Sequence, residues 1–407
     1  MKQNILILGA SYGSLLATKL LMAGHSVTLV CTGPTAGLIN REGTRLRFPL
    51  RGRNTLLEID SRTLPGELHA RTPDEVRFAA PVPGAQDRPG TGAQDLAVAE
   101  SYDLVVLGMQ EAQYGAPGVR ELMRRIARAR KPCLAIMNMP PLAYLKRIPG
   151  LATAALEACY ADPAVWQEFE PGLMTLASPD PQAFRPADEA KNVLQVGLPT
   201  NFKAARFESD AHTALLRQLE ADIEAVRFDA GEGGIEIPVK LKVHESVFVP
   251  LAKWPMLIAG NYRCIRPEDM IPIKEAVHGD VDASRSIYDW VAGLCTGLGA
   301  TADDLVPFEK YAAAAAGLGK PSSAARALFG GAEHIERVDS LVRRIAAQRG
   351  LHCELLHEIV ALVDARLGRN RDRQRKMRAA PNAGLGAGIT GAVGSLAHGR
   401  EALVGAA

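Results

Sequence analysis

The chain has 407 residues, more than one ordinary domain holds, and its 47% hydrophobic and 23% charged residues are typical of a globular protein with a sizeable core. A formal net charge of +2 gives no electrostatic argument for a nucleic-acid partner or for a membrane surface. The six cysteines are scattered without a C-x-x-C pair, so the sequence predicts neither a structural zinc site nor a disulfide framework.

Nothing near the amino terminus is typical of a targeting segment. Gly9 interrupts the first apolar run too early for the apolar region of a signal peptide. No other stretch approaches the roughly 20 apolar residues that a membrane-spanning helix needs. We therefore expect a cytoplasmic protein without a membrane partner.

The first elements along the chain form a βαβ unit. Residues 4–8 are a short apolar strand, residues 14–23 have helical spacing, and residues 27–31 are a second apolar strand. Strands that are apolar along their whole length are typical of a parallel sheet covered on both faces. The sequence therefore predicts a parallel-sheet domain of the Rossmann type.

More strands follow this unit. We predict strands at 102–109, 132–139 and 192–199, with an amphipathic, basic helix at 119–130 between the first two. Before them, residues 81–98 are rich in proline, glycine and alanine, which is typical of a flexible insertion.

Strand signals fade after Pro238, and helical runs dominate as far as residues 355–368. We therefore predict an α/β fold in which a Rossmann-type dinucleotide-binding domain over residues 1–235 is followed by an all-α domain over residues 236–370. The second domain is expected to carry the substrate and catalytic residues. The Gly/Ala-rich segment 371–407 has little to pack and is expected to be a mobile tail.

The segment at 9–13, Gly-Ala-Ser-Tyr-Gly, fits two motifs. As G-x-S-x-G it matches the turn that presents a serine nucleophile in hydrolases, with Ser11 as the nucleophile. As the turn after a first strand it approximates the glycine-rich cradle of a dinucleotide, with Ser11 where a second glycine is usual. A nucleophile turn needs earlier strands for its oxyanion hole, and only eight residues precede Gly9, so we favour the dinucleotide interpretation.

Such a cradle works mainly through its backbone. The N–H groups at a helix start, together with the helix dipole, hold a pyrophosphate where no side chain intrudes. Gly9 is expected to permit the sharp turn and Gly13 the close approach of the ligand, while the hydroxyls of Ser11 and Ser14 can donate hydrogen bonds to phosphate oxygens. The predicted cofactor-binding segment comprises Gly9, Ala10, Ser11, Tyr12, Gly13 and Ser14.

The end of the second strand indicates which dinucleotide binds. An acidic residue there would bind the ribose 2′-hydroxyl and repel a 2′-phosphate, but the sequence VTLVCTGPT has no acid through Thr35. We therefore expect NADP, with Thr32 beside the cofactor and NAD as the alternative. The nearest arginines for a 2′-phosphate are Arg41, Arg45 and Arg47.

Several separated stretches resemble one family. They are GASYGSLLATKLLMAGHSVTLV, INREGTRLR at 39–47, the strand ends LVVLGMQEAQY and CLAIMNMPPL, and, most specifically, GKPSSAARALFGGAEHIERVDSLVRRIAAQRG at 319–350. On these stretches the chain resembles the ketopantoate reductase (2-dehydropantoate 2-reductase) family, as a divergent member. The resemblance covers most of residues 1–370 in discontinuous blocks.

This resemblance implies a two-domain, NADP-dependent oxidoreductase of pantothenate biosynthesis that reduces a 2-oxo acid, ketopantoate or a related ketone, to the 2-hydroxy acid by hydride transfer. A lysine acts as general acid, and chemistry also favours a cationic acid because hydride addition to a ketone leaves an alkoxide. By the resemblance this lysine is Lys240, with Lys242 as its rival, and its carboxylate partner is Glu336, with Glu333 one helical turn earlier. If the lysines lie on a helix, one of the two faces solvent.

The same resemblance suggests further site residues. Ser323 would bind the substrate carboxylate or hydroxyl, although Pro-Ser-Ser before an alanine run also suits a helix N-cap. Asn138 would lie beside the nicotinamide or the substrate. Met109 and Gln110 would border the cofactor, with Gln110 at a position where the family commonly has a lysine.

The chain departs from the family after the lysine. The family has the pattern Asn-x-x-x-Asn-Pro, whereas here His244 and Phe248 take the asparagine positions and Pro250 stands one place late. With His244 in the substrate site, a different 2-oxo acid or ketone is compatible with the fold. These replacements also favour the alternative function, a dinucleotide-binding sensor or interaction protein that has lost catalysis.

The remaining expectations concern metals and partners. His244, Glu245, His278 and Asp280 lack a compact metal-ligand spacing, so no metal is expected. The expected partner is a small 2-oxo acid, with no nucleic acid, and the apolar helices of the second half are compatible with a homodimer.

Overall fold

The computed structural model describes residues 1–50, 55–78, 101–229, 231 and 233–379. These residues form two compact units, Met1–Leu251 and a second unit that starts at Ala252. The expected insertion at 81–98 and residues 380–407 of the expected tail lie outside the described residues.

The strands and the first five helices belong to the first unit. The strands are β1 (Asn4–Leu8), β2 (Ser26–Val30), β3 (Arg45–Pro49), β4 (Leu56–Asp60), β5 (Glu67–Arg71), β6 (Leu104–Leu107), β7 (Cys133–Ile136), β8 (Met174–Ser178), β9 (Gln182–Phe184), β10 (Val193–Leu198), β11 (Phe202–Ala205), β12 (Phe228–Asp229), β13 (Gly234–Ile235) and β14 (Leu241–His244). The helices are α1 (Gly13–Met22), α2 (Gly33–Glu42), α3 (Pro117–Arg128), α4 (Leu142–Leu145) and α5 (Asp210–Ala225).

The main sheet has eight strands in the order β14-β11-β8-β7-β6-β1-β2-β5. The six strands from β8 to β5 in this order run parallel, and β11 and β14 run the opposite way. Ile5, Leu6, Ile7 and Leu8 are all 0% exposed, so both faces of β1 are covered, as apolar parallel strands require. The predicted α/β fold and its first βαβ unit are confirmed.

A second sheet has four strands in the order β4-β3-β10-β9. It contains the strand predicted at 192–199, because β10 pairs with β3 in parallel and with β9 in antiparallel orientation. That strand therefore belongs to a separate sheet and does not extend the parallel one.

The expectation that strands end after Pro238 is wrong. β14 pairs in parallel with β11 in the register Phe202↔Leu241 to Ala205↔His244 and forms one edge of the main sheet. The first unit consequently continues to Leu251 instead of ending near residue 235.

The second unit is helical. Its helices are α6 (Lys253–Met256), α7 (Ile273–His278), α8 (Val281–Leu298), α9 (Phe308–Ala315), α10 (Ser323–Phe329), α11 (Val338–Gln348) and α12 (Glu354–Ala379). The last helix includes residues 371–379, which the sequence assigned to the mobile tail. Among the described residues, no helix combines the length and apolarity needed to cross a bilayer.

Helix α6 continues directly into one turn of π-helix, Leu257–Asn261, which we call the π turn. The Tyr262 N–H donates to Leu257 O at 2.9 Å, and this separation of five residues is the hydrogen-bond spacing of a π-helix. The hydroxyl of Tyr311 donates to Met256 O at 3.0 Å and so occupies a carbonyl that an α-helix would use for its own N–H. A side chain inserted into the helical ladder is a recognised cause of such a distortion.

Candidate functional site

The parallel sheet brings most of the predicted cofactor-binding residues to one edge. The carboxyl ends of β1, β2, β6 and β7 meet at this edge, because the four strands run parallel. The turn at 9–14 follows β1, Thr32 follows β2, Met109 and Gln110 follow β6, and Asn138 follows β7. In open α/β sheets, this edge is where ligands bind.

Two glycines make the turn after β1 sterically feasible. Gly9 has φ +104°, its N–H donates to Val30 O at 3.0 Å, and a Cβ there would lie 2.7 Å from Met109 Cγ. A Cβ on Gly13 would lie 2.7 Å from Ile7 Cγ2, so Gly13 allows α1 to pack closely on β1. Its role is therefore helix–strand packing, whereas the sequence suggested close approach of a ligand.

The two serines of the turn differ in their surroundings. Ser14 is buried, and its hydroxyl donates to Ala10 O at 2.5 Å. The expectation that Ser14 donates to a phosphate is therefore wrong for its side chain, since that hydrogen is already used within the turn. Ser11 is half-buried, and its carbonyl accepts the bond from Ser14 N at 3.1 Å.

Tyr12 anchors the turn through its side chain. Its hydroxyl donates to Pro181 O at 2.6 Å, and its ring meets Phe202 edge-on at 5.9 Å between centroids. Burial, with the charge of Asp180 nearby, raises the pKa of this hydroxyl well above its ordinary value. Tyr12 is thus available to a ligand through its backbone N–H, not through its phenol.

The start of α1 has the chemistry of an anion site. Ser14 N and Leu15 N donate to Ser11 O and Tyr12 O, each at 3.1 Å. The N–H groups immediately before them are those that a helix start leaves without an intrahelical acceptor. Combined with the dipole of a ten-residue helix, they suit a pyrophosphate.

The residues after β6 and β7 form the neighbouring border of the site. Met109 N donates to the hydroxyl of Tyr114 at 3.0 Å, and Gln110 N donates to Gln113 Oε1 at 3.0 Å. These bonds hold Met109 against Gly9. Asn138 is half-buried directly beyond β7.

At the end of β2, Thr32 precedes α2 in an extended conformation, and its hydroxyl bonds to that of Thr35 at 3.1 Å. The nearest arginines in the sequence do not converge on it. Arg47 lies on the second sheet and donates to Glu58 and to Glu189, both at 2.7 Å. Arg41 is in the last turn of α2.

Lys240 and Lys242 flank the first residue of a strand, so their side chains share one face of the sheet. The condition for their divergence, a helix at this stretch, is therefore not met. Lys240 Nζ bonds to Glu224 and lies 2.5 Å from Glu236 Oε1, and Lys242 Nζ donates to Glu224 Oε2 at 2.7 Å. Burial works against the charge of Lys240, but the hydrogen bonds to the two glutamates outweigh it and raise its pKa.

The predicted substrate residue His244 ends the same strand. β14 runs away from the carboxyl edge of the parallel strands, so His244 lies at the end of β14 farther from that edge. Its carbonyl accepts a bond from Arg206 N at 2.9 Å. The topology therefore does not bring His244 to the edge that holds the glycine turn.

In the second unit, the segments that contain the predicted Ser323 and Glu336 are hydrogen-bonded to the π turn and to the residue after it. Ser322 Oγ donates to Asn261 O at 2.7 Å. Tyr262, the next residue, donates through its hydroxyl to Glu336 O at 2.5 Å and accepts a bond from Val338 N at 3.0 Å. Ser322 therefore contacts the last residue of the π turn, and the backbone of Glu336 contacts the side chain of the residue that follows it.

The structure changes two details of the predictions for Ser323 and for the two glutamates. The N-cap of α10 is Ser322, whose side chain accepts a bond from Ala325 N at 3.1 Å, and Ser323 is the first helical residue. Glu333 and Glu336 both precede α11, so they are not one helical turn apart. Glu336 is half-buried, and Glu333 Oε2 accepts a bond from Arg378 at 2.9 Å.

One lysine of interest was missed at the sequence level. Lys253 is the half-buried first residue of α6, and Leu257 and Asn261 follow four and eight residues later. Residues four apart share a face of a helix, so a lysine followed at this spacing by two asparagines would place all three side chains on one face. The stretch after Lys240 is a strand, whereas Lys253 begins a helical stretch that has Asn261 at the position of the second asparagine.

No protein-family model matches this sequence, and no curated protein sequence matches it. Solved structures do match along nearly its whole length. A 2-dehydropantoate 2-reductase from Methylococcus capsulatus has a TM-score of 0.58 at 16% identity, covering 90% of this chain and 97% of its own. A PanE/ApbA family ketopantoate reductase from Ralstonia eutropha JMP134 has a TM-score of 0.55 at 15% identity, covering 90% and 99%.

A third match is D-mandelate dehydrogenase in a ternary structure with NADH and anilino(oxo)acetate. Its TM-score is 0.57 at 12% identity, with coverage of 90% of this chain and 99% of the dehydrogenase. The chain therefore has the fold of the ketopantoate reductases, as its sequence predicted, and D-mandelate dehydrogenase shares that fold.

Proposed function

We propose that the protein is an NADP-dependent oxidoreductase that reduces a 2-oxo acid to the 2-hydroxy acid. The observation that carries this proposal is the cradle at the carboxyl edge of the sheet, where Gly9 and Gly13 admit the start of α1 and Asn138 borders the same edge. Similarity of fold to ketopantoate reductases and to a D-mandelate dehydrogenase holding NADH supports the same reaction class. The absence of an acid after β2 favours the phosphorylated cofactor.

In the proposed reaction, the glycine turn binds the cofactor and a lysine donates the proton. Bound NADPH would supply the hydride, while the backbone N–H groups at 11–13 would hold its pyrophosphate. The alkoxide left on the substrate needs a proton, and a lysine ammonium within hydrogen-bond reach both stabilises that charge and donates the proton.

For the proton donor we favour Lys253 over Lys240. Lys240 is held by two carboxylates that raise its pKa, which makes it a weaker acid. Lys253 starts the helical stretch that carries Asn261, in the same unit as Ser323 and Glu336. Glu336 would orient the ammonium, and Ser323 would donate to the substrate carboxylate.

The second candidate function is a dinucleotide-binding sensor without catalysis. Leu257 favours it, since an apolar side chain stands four residues after Lys253 where the enzymes of this resemblance have an asparagine. A substrate site that lacks such a polar group loses transition-state hydrogen bonds.

One experiment separates the two. The absorbance of the NADPH nicotinamide is followed with a panel of 2-oxo acids that includes ketopantoate and aryl-substituted oxo acids. Turnover of any member supports the oxidoreductase. Binding of NADPH, measured by calorimetry, without turnover of any member supports the sensor, and no binding at all contradicts both.

The assembly is part of the proposal. A ketopantoate reductase from Staphylococcus aureus with this fold is described as dimeric, at a TM-score of 0.52 and 9% identity. We therefore expect a homodimer, which the mass from light scattering after size-exclusion chromatography checks.

A further inference from the structure

The carboxyl end of β2 is where an adenosine ribose lies in folds of this type. Cys31 and Thr32 follow this strand, and no acid stands there to bind the ribose 2′-hydroxyl. A 2′-phosphate would need a cation, and of the arginines near in sequence Arg47 is already paired with Glu58 and Glu189. A cation that the fold brings to this strand end from another part of the chain is therefore a candidate.

The structure brings Arg185 to this place. It directly follows β9 of the second sheet, far from β2 in sequence. The carbonyl of Pro181, just before β9, accepts a 2.6 Å hydrogen bond from the Tyr12 hydroxyl. This bond connects the segment to the glycine turn. Ala183, within β9, is buried in the core that also contains Leu29 of β2. The hairpin that carries Arg185 is thus packed on the first βαβ unit.

Arg185 is close enough to Cys31 for its charge to act on the thiol. Burial raises the pKa of Cys31 to about 11, and the guanidinium of Arg185 opposes this shift. Glu75 acts in the opposite sense on the same thiol, but its carboxylate accepts a bond from Thr72 N at 2.7 Å. Arg71, at the end of β5, is the other cation beside this strand end, with its carbonyl bonded to Cys31 N at 2.9 Å.

The guanidinium of Arg185 lacks a carboxylate counter-ion among the described residues, unlike Arg47, Arg62 and Arg337. It is half-buried, and burial lowers its pKa, which reflects the cost of holding the charge away from water. A partly desolvated arginine without an acid is a strong receptor for a phosphate, because guanidinium and phosphate form charge-assisted, bidentate hydrogen bonds.

We propose that Arg185 binds the 2′-phosphate of the adenosine ribose and so selects NADP over NAD. This inference rests on the proposed function, because it requires a dinucleotide in the cradle. It differs from the sequence-level expectation, in which Arg41, Arg45 or Arg47 had that role.

The test uses nucleotide fragments, so it does not depend on turnover. The affinities of the full-length protein for 2′,5′-ADP and for ADP are measured by calorimetry for the wild type, Arg185→Gln, Arg185→Lys and Arg41→Gln. For Arg185→Gln we expect 2′,5′-ADP to bind about tenfold to a hundredfold more weakly, with the affinity for ADP unchanged. Arg185→Lys should recover part of the loss, because it keeps the charge but not the bidentate geometry.

The other outcomes separate this inference from the proposed function. An equal loss for both nucleotides, or no loss for either, would overturn the role of Arg185. A selective loss in Arg41→Gln, with Arg185→Gln unaffected, would assign the phosphate to Arg41 and also overturn it. If neither nucleotide, NADH nor NADPH binds to the wild type, the proposed function itself fails.

Discussion

A Cβ atom at position 260 would overlap the hydroxyl oxygen of Tyr311. That hydroxyl donates to Met256 O at 3.0 Å, one turn before Gly260 in the helix. The absence of a side chain at Gly260 therefore lets a tyrosine from α9 enter the helical ladder. The π turn that results carries Asn261, whose carbonyl accepts a bond from Ser322, and precedes Tyr262, which donates to the carbonyl of Glu336.

Gly260→Ala should lower the stability of the second unit by about 2–3 kcal/mol, because the added methyl must displace the Tyr311 hydroxyl and break its bond to Met256 O. The midpoint of thermal or urea unfolding measures this. In Tyr311→Phe/Gly260→Ala the hydroxyl is absent, so the double variant should be more stable than Gly260→Ala alone. If the double variant is the less stable of the two, the overlap is not the cause.

Gly9→Ala should weaken dinucleotide binding by at least about tenfold. A Cβ at Gly9 would contact Met109 Cγ at 2.7 Å and Gly108 O at 2.9 Å, so the turn that presents the N–H groups must shift. The matched control is Gly24→Ala. Gly24 also has a positive φ, +83°, but nothing lies within 4 Å of its Cβ position.

Both variants carry the backbone strain of an alanine at positive φ, about 1–2 kcal/mol. Only Gly9→Ala should change the affinity for NADPH, measured by calorimetry. Equal affinities in the two variants would contradict the cradle.

Lys19→Met should stabilise the protein at neutral pH. Lys19 is 2% exposed, and its pKa is lowered from 10.5 to about 8, chiefly by burial and then by the charge of Lys240, against attraction from Glu236 and Glu224. The unfolded chain therefore binds this proton more tightly than the folded one. The penalty is complete below pH 8, and stability rises with pH until it vanishes above about 10.5.

At pH 7 the penalty of about 3 kcal/mol is offset in the variant by about 1 kcal/mol, because Ile237 O loses the bond from Lys19 Nζ. We expect Lys19→Met to be more stable by about 2 kcal/mol at pH 7 and less stable than the wild type above pH 10.5. Unfolding in urea across this pH range measures the difference. A difference independent of pH would mean that Lys19 does not titrate in this window.

Lys253→Met and Lys240→Met should have different effects on activity. Removal of a general acid lowers the rate about 10²–10⁴-fold, so Lys253→Met should lower kcat by a factor of that size while NADPH still binds. Lys240→Met should keep kcat and lose at most about 1 kcal/mol of stability, because the ion pairs of Lys240 with Glu224 and Glu236 are near the surface and Glu224 keeps its pair with Lys242.

Steady-state kinetics on the first substrate found in the 2-oxo acid panel measures both variants. A large loss of kcat in Lys240→Met, with Lys253→Met close to the wild type, would return the catalytic role to Lys240.

The sequence alone predicts the elements whose pattern is local. The apolar run at 4–8, the glycine turn and the helical spacing after it specify the βαβ unit, since each depends on residues only a few positions apart. Lys240 shows the limit of this reasoning. The alternation in Lys-Leu-Lys-Val-His at 240–244 has the period of a strand, but a run of five residues is too short to distinguish a strand from the start of a helix without a pairing partner.

For the site, the sequence predicts the edge of the sheet at which we propose that the cofactor binds, because parallel strands place their carboxyl ends together. Only the tertiary structure decided that Ser14 donates to Ala10, and packing between distant elements brings the Tyr311 hydroxyl beside Gly260 and places Arg185 near enough to Cys31 for its charge to act on the thiol. These relationships depend on the distances between side chains packed from different elements. Local spacing specifies which backbone elements form, but the core that packs them decides which side chains meet.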